Sequence, residues 1–514
     1  MVHLADDLDC PTGTLPGPAQ HGAAHHGTAH HGTAHHGIAH EAAHNGAGAE
    51  AVGRALAELA AGRPVVVADD PGRENEIDFI VAAAGISAAT VGLMVRHGSG
   101  LICAALPAER AAWLRLPPQV AQNEDAKGTA YTVLCDARWP ADGLVHTGIS
   151  AADRAYTLRV LADPSAGPAD LARPGHIAPL VARPGGVLER GGHTEAGVDL
   201  TRLAGLPPVA AIVEVTHDDG SMVRLHEWPD FRRRHRLPDY AVLSIADLVA
   251  YRRRTETLVA AVGCADLPTV HGRFRVHAYR HLITGVEHLA LVMGTPTDGA
   301  LVRVHSECRT GDALGSLRCD CRAQLELALA AVAAEGDGVV VYLGGHEGRG
   351  IGLANKIAAY ALQDQGADTY QANRMLGLPD DARDYHAAAH ILSDLGLRTV
   401  RLLTNNTSKR DQLVDHHITV AARVPLEAAL TAHNHRYLAA KAHAGHLLSA
   451  VPLPAGPLTA PPAAMPAPGP ALGPAPGPAP MPAQLPAVPA AAVPAPAGPL
   501  PGLPLAAAPP ARTA

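Results

Sequence analysis

Residues 338–366 read GVVVYLGGHEGRGIGLANKIAAYALQDQG. The apolar run Val339–Leu343 predicts a buried strand, and the stretch from Asn355 predicts a helix. Between them lie glycines 344, 345, 348, 350 and 352, which let the backbone approach a ligand. The helix that follows would present free N–H groups to a phosphate. Upstream, AQLELALAAVAAEG (323–336) puts Leu325, Leu329 and Val332 on one helical face. The first folded segment opens on the same theme, with a helical pattern AVGRALAELAAG (51–62), an apolar run PVVVA (64–68) and a polar loop DDPGRENEID (69–78). Strands alternating with helices give an α/β (α+β) class in two independent domains. They fall at 47–255 and 256–450, between a His/Gly-rich tail (1–46) and a Pro/Ala-rich tail (451–514) whose compositions predict disorder.

Three of the seven cysteines, Cys308, Cys319 and Cys321, sit in HSECRTGDALGSLRCDC (305–321). Three thiolates bind zinc and leave a fourth position for water or substrate, whereas a structural site closes with a fourth Cys or His. No second CxC or CxxC pair occurs in the chain. Arg303, His305, Glu307, Arg309, Asp312 and Arg318 crowd the same stretch, which a structural knuckle does not need. A catalytic zinc is the favoured reading, with a structural zinc or three unligated thiols as alternatives. Thr404 and Lys409 of TNNTSKR suit phosphate oxygens, and PDDARDY pairs Asp381 with Arg383. In the first half, carboxylates and histidine with few thiols suit a hard cation such as magnesium.

A formal charge of −8 and a pI near 6.4 argue against a general nucleic-acid binder. No apolar run approaches a membrane span. Cysteine usage does not suggest a disulfide scaffold, and the first residues lack a signal-peptide layout, so a cytoplasmic protein is expected. His25, His26, His30, His31, His35 and His36, in a repeated HHGTA/HHGIA unit, suit loose transition-metal binding. Arginine runs 232–234 and 252–254 read as solvated faces or a linker helix rather than an RNA site.

Together, RVHSEC, SLRCDC, EGRGIGL, NKIAAYALQDQGADT, LPDDARDY and LLTNN resemble GTP cyclohydrolase II over about 260–450. The resemblance implies hydrolysis of GTP to 2,5-diamino-6-(5-phospho-ribosylamino)pyrimidin-4-one, formate and pyrophosphate, opening riboflavin synthesis. It implies zinc on Cys308, Cys319 and Cys321, where the metal lowers the pKa of bound water. It further implies Tyr360 assisting attack and ring opening, Asp381 as general base and Arg383 acting at the α-phosphate. GTP, with a magnesium ion on its triphosphate, would be held by Arg303, Val304, His305, Ser306, Glu307, Gln324, Glu347, Gly348, Arg349, Thr369, Thr404 and Lys409.

RHGSGLIC, TGISAADR, RPGHIAPL, GGVLERGGHTEA and the RENE loop resemble 3,4-dihydroxy-2-butanone-4-phosphate synthase over 47–255. That resemblance implies conversion of D-ribulose 5-phosphate to 3,4-dihydroxy-2-butanone 4-phosphate and formate, with magnesium (or manganese) on Glu74 and His193. Glu76, His176 and Glu214, with Asp70, are the implied acid–base or positioning groups. Arg73, Glu74, Asp78, Ser99, Thr147, Arg190, Gly191, Gly192, His193, Thr194 and Glu214 would hold the sugar phosphate, and Cys103 would line the pocket. A homodimer completing that pocket is also implied, and the order of the halves is that of bifunctional riboflavin proteins.

The chain departs from both patterns. Ile77 replaces a glycine of DDExRENEGD, so it is expected to resist positive φ in a loop that closes over substrate. Pro71-Gly72 replaces an acidic pair in that loop. Gly344 replaces the arginine of YLRGHEGRG, with a raised KM for GTP expected. Arg322 follows CDC where glycine is usual, and Thr407 follows TNN where proline is usual. Two other readings remain at this point: only the cyclohydrolase half works, or the chain is a non-catalytic GTP-binding regulator. Tyr360, Asp381 and Arg383 argue against the regulator, since binding alone does not need all three.

Overall fold

The computed structural model describes residues 38–139 and 146–449, with side chains from Ala47 onward. The expected metal-binding histidine repeat and the Pro/Ala-rich tail lie outside the described residues. The first helix, Ile38–Ala60, begins ahead of Ala51 and crosses the boundary drawn at 47. Alanines at 39, 42, 43, 47 and 49 are strong helix formers and carry it back.

The first half is a seven-stranded mixed sheet: β1 (Val65–Ala68), β2 (Ile77–Ala82), β3 (Cys103–Leu106), β4 (Cys135–Ala137), β5 (Leu171–Val181), β6 (Ala210–Glu214) and β7 (Val242–Ser244). Its order is β4-β5-β3-β6-β2-β1-β7. Every residue of β1 and β2 is buried, because helices cover both faces. Val66, Phe79 and Val81 pack into one core layer, Val65, Val67 and Ile80 into the other. Trp228 and Tyr240 meet Phe79 edge-on at 5.9 and 6.1 Å.

Ile77 is the first residue of β2, fully buried and paired with Ala68. The left-handed residue in the RENE loop is Asn75, at φ 56°. The expectation that Ile77 strains the loop is therefore overturned: its β-branch sits in a strand, where it is favoured. Pro71-Gly72 form a tight turn in which Gly72 N–H donates to Asp70 Oδ1 at 2.7 Å.

The second half has strands β8 (Val259–Thr269), β9 (Gly272–His281), β10 (Glu287–Met293), β11 (Ala300–Ser306), β12 (Gly338–Leu343), β13 (Thr399–Leu403) and β14 (Thr419–Val424), ordered β14-β13-β11-β12-β10-β9-β8. β8 to β10 form an antiparallel meander, while β12, β11, β13 and β14 run parallel. Parallel strands deliver their carboxyl ends to one edge, where ligands of α/β sheets bind. β11 leads there into Cys308, β12 into the glycine loop and β13 into Thr404.

The arginine runs are not uniformly solvated. Arg252 is buried and donates to Asp199 and Glu256, both at 2.7 Å, fixing the last helix of the first half, Ile245–Thr255. Just beyond it, Leu258 N–H donates to His390 Nδ1 at 3.2 Å, tying the start of the second half to helix His386–Asp394.

Two candidate active sites

In the second half the sulfurs of Cys308, Cys319 and Cys321 lie within 4.8 Å of one another. Gly311 makes this approach possible: a Cβ there would stand 2.9 Å from Cys319 Sγ and 3.1 Å from Cys308 Sγ. Hydrogen bonds from the other two thiols, aided by the Lys356 ammonium, hold Cys308 far below the usual thiol range. Cys319 and Cys321 keep their protons in exchange, with pKa values pushed up by Cys308. A soft cation would take the place of those protons, so the donor set fits zinc.

Lys356 Nζ donates to Cys308 Sγ at 3.0 Å, Thr310 Oγ1 at 2.7 Å and Glu347 Oε1 at 2.5 Å. One turn along helix Leu353–Asp364, Tyr360 places its hydroxyl 3.3 Å from Thr310 Oγ1. A cleft open to solvent lies over these groups, lined also by Glu307, Gly348, Arg349, Thr369, Arg383 and Tyr437. It adjoins a second cavity lined by Arg303, His305, Gln324, Thr404, Lys409, Lys441 and His446; Ser306, Cys321, Arg349, Arg383 and Tyr437 border both.

The second cavity is rich in positive charge, of which Asp381 and Asp320 neutralise only part. Arg349 buries both terminal nitrogens without a hydrogen-bond partner, stacked 4.0 Å from the Tyr370 ring. Burial, then Arg303, Arg383 and Lys441, push the Lys409 ammonium well below its ordinary pKa, although it donates to Val304 O at 2.7 Å. Arg303 donates to Leu403 O and Gln324 Oε1 at 2.9 and 2.8 Å. Such a cluster suits a polyanion. Asp381 grips Arg383 in a two-point fork of 2.9 and 2.5 Å. Burial alone would raise the Asp381 pKa, but the Arg383 fork and Arg349 outweigh it and hold the carboxyl below its ordinary value. The glycine loop meets this segment directly, Ala382 N–H donating to Arg349 O at 2.9 Å.

The expected residues thus converge, with qualifications. The Val304 side chain is core, so only its carbonyl faces the site. Glu347 is committed to Lys356 and to the Arg309 and Gly348 N–H groups. Gly344 lines neither cavity; a Cβ there would stand 2.3 Å from Glu287 O, so this backbone admits no side chain at 344 without moving. Arg322 is an exposed partner of Glu326 at 2.9 Å, and Thr407 occupies the first helical position of Thr407–Asp415, where proline is equally at home.

In the first half, ligand atoms of Asp69, Glu74 and His193 lie within 4.8 Å of one another. Asp69 organises the RENE loop, accepting from Glu74 N, Glu76 N and Arg73 Nη1 at 3.0, 2.9 and 3.0 Å. Of the Asp69-Asp70 pair, Asp69 faces the site and Asp70 caps the outer turn. His193 Nε2–H donates to Val67 O at 3.1 Å, leaving Nδ1 at 3.4 Å from Asp78. Burial pushes His193 down to about 4, so it is neutral at pH 7. Two carboxylates and a neutral imidazole fit a divalent cation.

Asp78 and Glu214 are paired across β2 and β6, and Ser99 Oγ donates to Glu214 at 2.5 Å. Burial, then Glu214, Glu76, Glu74 and Asp69, raises the Asp78 pKa, and burial with Glu74, Glu214 and Asp69 raises that of Glu76. Arg190 is braced by Glu195 and Thr129 at 2.6 and 3.1 Å, just before the helix that starts at His193 and carries Thr194 behind Gly191 and Gly192. Lys127 Nζ donates to Arg73 O at 2.9 Å and joins this arginine to the RENE loop. Cys103 is buried on β3, its thiol pushed up by burial and then by Glu214 and Asp78.

His176 and Thr147 are brought together beside Asp136. His176 is held by Asp136 at 2.7 Å, and Gly148, beside Thr147, packs against both. β5, which carries His176, lies two strands from β6, about 10 Å from Glu214 at ordinary strand spacing.

Residues 53–251 match the family described as 3,4-dihydroxy-2-butanone 4-phosphate synthase, and residues 260–425 match GTP cyclohydrolase II. A relative named riboflavin biosynthesis protein RibBA from Salinispora arenicola is 57% identical over 398 residues, covering 77% of this chain and 93% of the relative. The chain belongs to this bifunctional riboflavin biosynthesis family. An Aquifex aeolicus member of the same name is 50% identical over 392 residues, spanning 76% of this chain and 95% of its own length. Among solved structures, a two-domain 3,4-dihydroxy-2-butanone 4-phosphate synthase from A. baumannii, RibBX, aligns with a TM-score of 0.53 and 34% identity over 74% of this chain and 99% of that one. The family assigns two activities, a synthase (lyase) in the first half and a GTP cyclohydrolase II (hydrolase) in the second, both serving riboflavin biosynthesis. No described helix is long and apolar enough to cross a membrane.

Proposed function

We propose that GTP lies across the two joined cavities, its purine over the three cysteines and its triphosphate among Arg303, Arg349, Arg383 and Lys409. The observation that carries this reading is the continuity of a three-sulfur cluster with a buried set of cations, of which Arg349 keeps both terminal nitrogens without a hydrogen-bond partner. Cys308, Cys319 and Cys321 would hold zinc, which when bound supplies Lewis acidity that makes water a nucleophile at neutral pH. Tyr360, set by Thr310, steers the attack at C8 and hands a proton to the opening imidazole ring. Arg383 turns from Asp381 to the α-phosphate, where water adds as the α–β P–O bond breaks and pyrophosphate leaves with its magnesium; Asp381, so released, accepts the proton of that water.

In the synthase half, Asp69, Glu74 and His193 would hold magnesium or manganese, which when bound polarises the hydroxyl and carbonyl oxygens of ribulose 5-phosphate. Glu76 and Asp78, whose raised pKa values suit proton exchange, and Glu214, held by Ser99, accept and return protons as the sugar enolises and rearranges. Arg73, Arg190 and Thr194 hold the phosphate. His176 and Thr147, two strands away, belong to this site if two copies of the chain pair, so the reading includes a homodimer. It also places the enzyme in the cytoplasm.

Metal analysis tests the core of this reading. The purified chain should carry about one zinc that survives dialysis against a weak chelator, and Gly311→Ala, which crowds the sulfurs, should lose it together with GTP-dependent formate release. Full zinc occupancy and full activity in Gly311→Ala would contradict it.

A further inference from the structure

The cyclohydrolase match ends at residue 425, but the described chain continues to Ser449. This extension is clasped at both ends by Asn405, which follows Thr404 in the phosphate cavity. Asn405 Nδ2 donates to Leu426 O at 2.7 Å, and Leu426 N–H donates to Asn405 Oδ1 at 3.1 Å. Leu447 N–H returns to Asn405 O at 2.9 Å. The loop so closed carries helix His435–His443.

Three of its side chains face the site. Tyr437 borders both cavities, and Lys441 and His446 border the basic one. Lys441 Nζ donates to Asp320 Oδ1 at 2.6 Å in an ion pair whose side chains are 11% and 1% exposed. Asp320 lies between Cys319 and Cys321, and its other oxygen accepts from Gln324 at 2.8 Å, the partner of Arg303. His446 is surrounded by cations: burial, then Lys441, Arg383, Arg349 and Lys409, push it down to about 3. A neutral imidazole among four cations still has an N–H to offer an anion.

We propose that residues 427–449 are a substrate-recognition strap, with Tyr437 and His446 forming the outer wall of the polyphosphate cavity. Lys441 is a positioning residue that registers this wall against the Cys319–Cys321 turn through Asp320. The strap extends the GTP-site reading above and rests on it. It makes the site selective for the polyphosphate end of the nucleotide, while the purine end depends on the glycine loop and Tyr360.

The test uses the full chain with His446→Ala, Tyr437→Phe, Lys441→Met and Lys441→Arg. Formate release from GTP is measured with pyrophosphate or guanosine as competitor, alongside zinc content. His446→Ala should raise KM for GTP and the pyrophosphate inhibition constant about tenfold, the size of one hydrogen bond to a charged group, with guanosine inhibition and zinc unchanged. Tyr437→Phe should shift the same two constants in the same direction. Lys441→Met should lower kcat as well, and Lys441→Arg should recover part of it by restoring the ion pair. Unchanged pyrophosphate inhibition in both His446→Ala and Tyr437→Phe would overturn the strap. So would an equal loss of guanosine and pyrophosphate inhibition in Lys441→Met, which marks a merely structural role. Absence of GTP turnover and of pyrophosphate inhibition in the unaltered chain would overturn the GTP-site reading itself and the strap with it.

Discussion

Lys356 is the side chain on which the cyclohydrolase site turns, bridging Cys308, Thr310 and Glu347. Burial alone would lower its pKa; Glu347 and the Cys308 thiolate outweigh burial and keep it charged. Lys356→Met should cut GTP-dependent formate release about 100-fold, comparable to losing one positioned donor, and leave the synthase reaction intact. GTP turnover within twofold of the unaltered chain would contradict that role. Its position four residues before Tyr360 puts both on one helical face, a signal present in the sequence. Gly344 teaches the reverse. Family comparison marked it as a lost phosphate ligand, but the Glu287 carbonyl occupies the place of its Cβ. Gly344→Arg should therefore leave KM for GTP no lower than before, as steady-state kinetics would show; a lower KM would restore the arginine's supposed role.

At the scale of elements, runs buried on both faces were the most legible. PVVVA and GVVVYL became β1 and β12 because a sheet covered on both sides needs continuous apolar strands. The RENE loop was legible in chemistry but not in conformation: residue type alone could not say that Asn75 takes the positive φ and Ile77 begins a strand. Nor could it say which of Asp69 and Asp70 turns inward. The strap escaped notice because its helix, HRYLAAKAH, carries no motif and matters only through long-range contacts to Asn405 and Asp320.

Histidine burial gives this layer a pH dependence. His288 on β10, His390 on helix His386–Asp394 and His416 beside them are pushed down to about 4, chiefly by burial and next by neighbouring histidines; Asp384 opposes the shift. Because the folded pKa values lie below the ordinary value near 6.5, the unfolded chain binds more protons between the two. Stability is then intact above about pH 6.5 and is lost progressively as pH falls toward 4. Amide hydrogen exchange corrected for intrinsic rates should show weaker protection of β10 and β12 at pH 5 than at pH 7.5. Equal protection would contradict this account.

On the scale of the whole molecule, the two sheets carry separate chemistry within one chain. Each half has its own core, its own cation-binding geometry and its own substrate. The domain order was legible because each half carries several separated motifs; the spacing of His176 from Glu214 was not, since it depends on strand order. If the synthase site is shared between copies, mixing inactive Glu74→Gln with inactive His176→Ala chains should restore part of the ribulose 5-phosphate activity, and no restoration would favour a site complete within one chain.

Two independent formate-releasing sites predict formate from GTP and from ribulose 5-phosphate when each is supplied alone. The unaltered chain should release formate from both, Cys308→Ser only from ribulose 5-phosphate and Glu74→Gln only from GTP. Loss of both activities in either folded variant, or no formate from one substrate with the unaltered chain, would contradict it.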